Sequence, residues 1–288
     1  EEPLFSLLPY LDVVGRTFAY NRETTIPAGV FFNPGDTWTE ATPTVTRVST
    51  DLKIAGKDAD VDNFLAATRR DVNDVEAEVI GKTVKGVART VKNEWIYGDV
   101  DNNAKGFDGL HAIIGPDEAA QEVQAGSGTA GGPGTFEKLH QTIDLVKAPG
   151  TKILMMSRRS RRQISTLSRS QGWELATAPG LGSIGMPINM FAGLPIFIND
   201  FITDTEDVVD GGFGGRTGDD ATSIFCIALG EESVHGLQNG TLEVVRIGDL
   251  ENKDATRNRV KWYNSIACLS TLGVARLSGV DTQPWTNA

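Results

Sequence analysis

The sequence predicts an α+β protein of two lobes, on three observations. Two pairs of segments read as strands with period two, the first joined by a long connection and the second by a polar one. One stretch, from Val72 to Trp95, repeats apolar residues at helical spacing, and the middle of the chain alternates helix and strand patterns. At 288 residues the chain is long enough for about two domains and buries a core without disulfide help.

The first pair runs from Arg16 to Arg22 and from Val45 to Ala55. Phe18 and Tyr20 share one face, and Val48, Leu52 and Ile54 oppose Arg47, Asp51 and Lys53, which is the strand pattern. The connection between them is far longer than a compact hairpin turn and is rich in Thr, Gly and Pro. It also carries Ile26, Val30, Phe31, Phe32 and Trp38, and an isolated two-stranded ribbon has nothing of its own to bury them against. A neighbouring chain is the simplest cover.

Val72, Val75, Val79, Val84, Val87, Val91 and Trp95 then recur at steps of three to five, with Glu76, Lys82, Lys85, Arg89 and Lys92 on the other side, so one long amphipathic helix is expected to end at Tyr97-Gly98-Asp99. Gly81 and Gly86 each cost about 1 kcal/mol against Ala in a helix interior, and a bend or a close packing contact is expected there. The middle region reads as a mixed α/β lobe: a helix through Phe136, Leu139, Ile143 and Val146, a buried strand Ile153 to Met156, a helix from Ser157 to Ser170 and a strand Leu194 to Ile198. The second pair, Leu242 to Ile247 and Arg257 to Leu269, flanks the polar connection Gly248 to Asp254. In its return strand Val260, Trp262, Ile266 and Cys268 share one parity, so this ribbon is expected to cover the long helix.

Lys+Arg 27 against Asp+Glu 38 leaves a net charge of −11, which excludes a protein whose whole surface attracts nucleic acid. No apolar run approaches the roughly 20 residues that a membrane-spanning helix needs. The two cysteines, Cys226 and Cys268, sit among apolar neighbours as small hydrophobes, for which a reducing compartment is the default. Glycine concentrates in Gly126 to Gly134 and Gly211 to Gly218, which read as mobile surface loops. The opening Glu1-Glu2-Pro3-Leu4 lacks Met, so the numbering is expected to start after a processed leader or at a trimmed boundary.

Signatures of chemistry are weak. Asp99 to Leu110 starts like a calcium loop but has Ala104 where the sharp turn requires Gly and Leu110 where a bidentate carboxylate is required, so a plain turn is expected. His111, His140 and His235 are far apart and read as surface or packing residues. No G-x-S-x-G elbow occurs, and Gly211 to Gly218 lacks a phosphate-loop lysine. No catalytic, cofactor or metal site is therefore assigned. Arg158, Arg159, Arg161, Arg162 and Arg169 crowd one helix, with Arg158, Arg162 and Arg169 nearly on one face. Cations in a first turn oppose the helix dipole, so an acidic neighbour is the preferred reading, and non-specific contact with phosphate backbones is the alternative.

The order of an N-terminal arm, a long aromatic-tipped hairpin, a spine helix, an α/β lobe and a late hairpin resembles the tailed-phage (Caudovirales-type) major capsid protein with the Hong Kong ninety-seven fold. The local elements that carry the likeness are Asn93-Glu94-Trp95-Ile96-Tyr97-Gly98-Asp99 running into Lys105-Gly106-Phe107-Asp108-Gly109-Leu110, and Val260 to Asn264 followed by Gly273 to Val280. The resemblance implies an N-terminal arm over 1–15, an extended loop over 16–56, a peripheral domain over 57–100 and 238–270, and an axial domain over 101–237 and 271–288. It implies a structural protein rather than an enzyme, needing no cofactor, that self-assembles into hexamers and pentamers of an icosahedral head enclosing double-stranded DNA.

Its partners would be its own copies, portal and decoration proteins, and packaged DNA through non-specific contacts at Arg158, Arg162 and Arg169, with no membrane. It would reside in the virion after assembly in the host cytoplasm. Inter-subunit contacts would fall at the loop tip and at Asp249, Glu251, Lys253 and Asp254, where three capsomers meet. Some family members cross-link through a lysine in the extended loop; Arg16 to Leu52 contains none, so shell stability is expected to be non-covalent. An encapsulin-type nanocompartment shell shares the fold and stays open, as do an α/β hydrolase or nucleotide-binding enzyme and a phage decoration or tail component.

Overall fold

A computed structural model describes residues 7–25, 28–38, 40, 42, 44–68, 74–114, 120–126, 131–172, 174–178, 188–206, 220–230 and 233–287. The central sheet owes its position to strands that are apolar on both faces. In β6 (Thr151–Met156), Ile153 and Met155 point to one core, and Leu154 and Met156 to the other. β10 (Thr222–Leu229) divides in the same way, Phe225 and Ile227 against Ile224, Cys226 and Ala228. Near-continuous apolar runs of this kind mark strands covered on both sides.

The first core is closed by α2 (Val75–Tyr97), preceded by α1 (Asn63–Thr68) and followed by the short α3 (Leu110–Ile113). Val91, Trp95 and Ile96 of α2 pack with Leu110, Phe225, Trp262 and Ile266. Asp74 caps α2 by accepting from the Ala77 amide at 3.2 Å, and Glu76 and Glu78 in its first turn suit the helix dipole. The helix ends at Gly98, where ψ turns to 138°, and only glycine fits there because an added Cβ would lie 2.2 Å from the Phe107 carbonyl oxygen. The second core is closed by α4 (Phe136–Leu145), capped by Thr135, and α5 (Arg158–Ser170), capped by Ser157, which bury Leu139, Ile164 and Leu167 against β6, β10 and β14 (Val274–Val280).

Strand order through the main sheet is β12 (Glu243–Asp249), β13 (Ala255–Cys268), β11 (Val234–Gln238), β10, β6, β9 (Leu194–Ile198), β8 (Ile188–Phe191) and β7 (Ala176–Ala178). β1 (Tyr10–Asp12) joins β11, and β5 (Glu122–Gln124) joins β14. β2 (Thr17–Thr25) and β3 (Thr44–Asp51) form a separate two-stranded sheet.

The structure differs from the sequence reading at four places. The segment Val45 to Ala55 is not one strand: it breaks at Leu52, whose amide bonds the Arg16 carbonyl at 2.8 Å, and resumes as β4 (Lys53–Asp62). β4 pairs with β13 from Asn264 back to Ala255, held by bidentate Arg259–Asp58 and Arg257–Asp60 contacts, so the late hairpin belongs to the main sheet rather than to a separate lobe, while its return strand does cover the long helix, Trp262 and Ile266 packing with Val91 and Trp95. Gly81 and Gly86 make no close contact; a Cβ at either would meet nothing within 4 Å. Gly132 and Gly134 are buried rather than part of a surface loop, Gly134 lying against the Trp285 ring. Val72 and Gly211 to Gly218 lie outside the described residues.

Candidate assembly surfaces

The β2–β3 hairpin is fixed at its base and uncovered at its tip. At the base Phe18 meets the His235 ring edge-on at 5.9 Å. The Tyr20 hydroxyl donates to the Cys268 carbonyl at 2.9 Å, and Arg22 Nη2 donates to the same oxygen at 2.8 Å. The backbone register from Thr17 opposite Asp51 to Thr25 opposite Thr44 carries the chain away from that anchor. At the tip Val30 is 62% exposed, Phe31 fully exposed and Trp38 79% exposed, while Phe32 is half-buried and stacks on Trp38 at 4.5 Å. A turn closed by Asp36 N to Asn33 O at 3.1 Å holds them, with Gly35 at φ +97°. Ile26 lies outside the described residues.

The polar connection between β12 and β13 is braced within the chain. Asp249 Oδ1 accepts from the Thr256 hydroxyl at 2.8 Å, Lys253 Nζ pairs with Asp60 at 2.8 Å, and Asp254 Oδ1 accepts from Asn63 at 2.7 Å. Hydrogen bonds from Arg257 and Lys253 hold the Asp60 carboxyl far below the usual carboxylate range. Glu251 is exposed at the turn. β12 leaves Val244, Val245 and Ile247 exposed on an open sheet edge.

On α5, Arg158 forms a bidentate pair with Asp200 at 2.5 and 2.8 Å, which draws the Asp200 carboxyl below its ordinary value. Arg159 lies 3.6 Å from Asp204 and donates to the carbonyls of Asp204, Asp220 and Val280. Arg169 is 3.7 Å from Glu174, and Arg162 is exposed. Asp200 and Asp204 thus offset Arg158 and Arg159 in the first turn.

Sequence reasoning missed a buried polar cluster. Glu206, 4% exposed, accepts from Tyr97 Oη at 2.5 Å, contacts His111 Nε2 at 3.2 Å, receives the Ser223 hydroxyl and lies 3.7 Å from Arg276. Burial acts to raise its pKa, but the His111 hydrogen bond and the charges of His111 and Arg276 outweigh that and hold it below the ordinary value. The signal available was Arg276 within the otherwise small and apolar run Val274 to Val280, every residue of which is buried.

The opening of the calcium-like segment is a turn, Asp99 accepting from the Asp101 amide and the Asn102 side chain. No group of three metal-ligating side chains occurs among the described residues. Burial pushes the Cys226 thiol up to about 12, which makes it unreactive.

A model of the phage capsid family matches residues 17–224. The chain belongs to the phage capsid family. Three solved structures place this family member in the Hong Kong ninety-seven fold. The holo-SrpI encapsulin complex from Synechococcus elongatus PCC 7942 matches at a TM-score of 0.72 and 17% identity, covering 99% of this chain and 89% of that one. The capsid of a native GTA particle matches at 0.68 and 12% identity, covering 96% and 89%. A Mycobacterium phage Bobi structure matches at 0.63 and 13% identity, covering 96% and 90%. No curated relative matches the chain.

Proposed function

We propose that this phage capsid family member is the major capsid protein of an icosahedral phage head, its copies forming the hexamers and pentamers that enclose double-stranded DNA. The observation that carries this reading is the exposed apolar tip, Val30, Phe31 and Trp38, borne on a hairpin whose base is bonded to the body at Cys268. A contiguous apolar patch on an anchored arm marks an interaction surface. Each ring, fully buried against a neighbour, contributes about 1.5–3 kcal/mol. Repetition around a closed ring adds many such terms without a covalent link.

A second reading, an encapsulin-type nanocompartment shell, is favoured by the 0.72 TM-score to the Synechococcus encapsulin. The contents separate the two: a genome in one, an enzyme cargo in the other. Negative-stain microscopy of the purified chain, with nucleic-acid and protein analysis of any particles, tests both. Closed particles are expected; a lone monomer at high concentration overturns the shell assignment.

A further inference from the structure

The exposed face of α2 carries a charge pattern that neither core uses. The chain holds 27 cations against 38 carboxylates, yet from Val79 to Asn93 it has Lys82, Lys85, Arg89 and Lys92 and no Asp or Glu. Steps of three, four and three residues set these four within an arc of about 80° on one side of the helix, along a line of about 15 Å. That side is turned away from Val87, Val91 and Trp95, which are buried.

The first of the four is taken up, Lys82 Nζ lying 2.5 Å from Glu78 one turn earlier. Lys85 and Arg89 are exposed and have no ion-pair partner among the described residues. Arg89 lies over the Phe201 ring at 6.0 Å, which steadies the guanidinium without cancelling its charge. Lys92, half-buried, continues the line.

Gly81 and Gly86 flank the stripe on either side, and open space surrounds a Cβ built at either. Nothing within the chain requires glycine there, and glycine weakens a helix interior. With no side chain at either flanking position the cations stand as a ridge, which a broad, rigid surface can approach closely.

A polyanion of dense, regular charge fits such a ridge. Duplex DNA carries one negative charge per about 1.7 Å of its axis, so about nine phosphate charges lie along the length of the stripe. An exposed ion pair with an acidic side chain is worth little in water, whereas each cation set against a phosphate backbone also releases condensed counterions.

We propose that this stripe, through Lys85, Arg89 and Lys92 above all, is the surface by which the chain contacts the phosphate backbone of duplex DNA. The inference rests on the phage-head reading for the source of that DNA and names the residues that meet it. The contact is independent of sequence, because cations on a backbone read no base edges.

Salt-dependent binding tests it. The full-length chain with Phe31→Ser, Phe32→Ser and Trp38→Ser, which keep it unassembled, is titrated against a short fluorescent duplex between about 50 and 200 mM salt. Three phosphate contacts give a slope of about −3 for log K against log salt, and Lys85→Gln with Arg89→Gln is expected to bring it about two units closer to zero. The charge-retaining pair Lys85→Arg with Arg89→Lys is expected to keep the parent slope. Absence of binding by the parent, or a slope that the Gln pair leaves unchanged, overturns the stripe. Tighter binding of polyglutamate than of the duplex, at equal charge and salt, assigns the face to an acidic protein and also overturns it. In assembled particles the Gln pair is expected to lower nuclease-protected nucleic acid per chain about twofold. Unchanged protection overturns the stripe and leaves the head reading intact. Particles that hold protein cargo and no nucleic acid overturn the head reading, and the duplex titration then decides the stripe by itself.

Discussion

His111 Nε2 lies 3.2 Å from Glu206 Oε1, and both side chains are at least 98% buried. The pair joins α3, which follows the spine helix, to the segment after β9, and Arg276 adds β14 at 3.7 Å. One carboxylate therefore ties together three stretches that are remote in the chain.

Because the native environment holds the Glu206 carboxyl below its ordinary value, its contribution to stability is complete above pH 4.5 and is lost as the pH falls through the lowered native value. The expected outcome is a melting temperature that drops on acidification below that point. Glu206→Gln removes the charge facing Arg276 and His111 and is expected to cost about 3 kcal/mol, as for other broken buried pairs, with a flatter acid limb. Thermal melts of both proteins across pH 3–7, a roughly four-unit window, check this.

Phe31→Ser, Phe32→Ser and Trp38→Ser together are expected to abolish shells while leaving the isolated chain folded. These rings make little contact with the body, so the stability change in the free chain stays within about 0.5 kcal/mol. Electron microscopy and circular dichroism on the same preparation separate the two effects. Normal particles would show that the tip does not carry assembly.

Elements whose signal is local were readable from sequence; elements that rest on distant charges were not. The spine helix follows from valines at helical spacing ending in Trp95, and the two-faced strands β6 and β10 follow from short apolar runs. The strand pattern read from sequence ends at Ala55, whereas β4 runs to Asp62, because the carboxylates of Asp58 and Asp60 are matched by Arg259 and Arg257, 201 and 197 residues away. The exposed aromatic tip was legible because its long connection offers no cover of its own. The cluster around Glu206 was not, since His111, Glu206 and Arg276 are far apart in sequence and each alone reads as ordinary. The bracing of Lys253 and Asp254 by Asp60 and Asn63 was hidden for the same reason.

Arg158→Ala, Arg162→Ala and Arg169→Ala together are expected to leave nucleic-acid retention by purified particles unchanged. Arg158 is taken up by Asp200 and Arg169 lies 3.7 Å from Glu174, so of the three only the exposed Arg162 carries a charge without an acidic neighbour among the described residues. Absorbance ratios of the particles, measured at two salt concentrations, decide it. A clear loss of retained nucleic acid in the triple variant would reassign the helix to phosphate contact.

Glycines in this fold divide by what surrounds them. Gly56→Ala would place a Cβ 2.6 Å from the Val260 carbonyl oxygen, and Gly98→Ala would place one 2.2 Å from that of Phe107. Both meet backbone that cannot swing aside, so each is expected to destabilise the chain by about 1–3 kcal/mol. Gly81→Ala and Gly86→Ala meet open space inside a helix and are expected to stabilise it by about 1 kcal/mol each. Urea unfolding in the tip-substituted background, where assembly does not mask the result, measures all four. A destabilising Gly81→Ala there would mean that the open space beside this helix position is filled within one chain in solution.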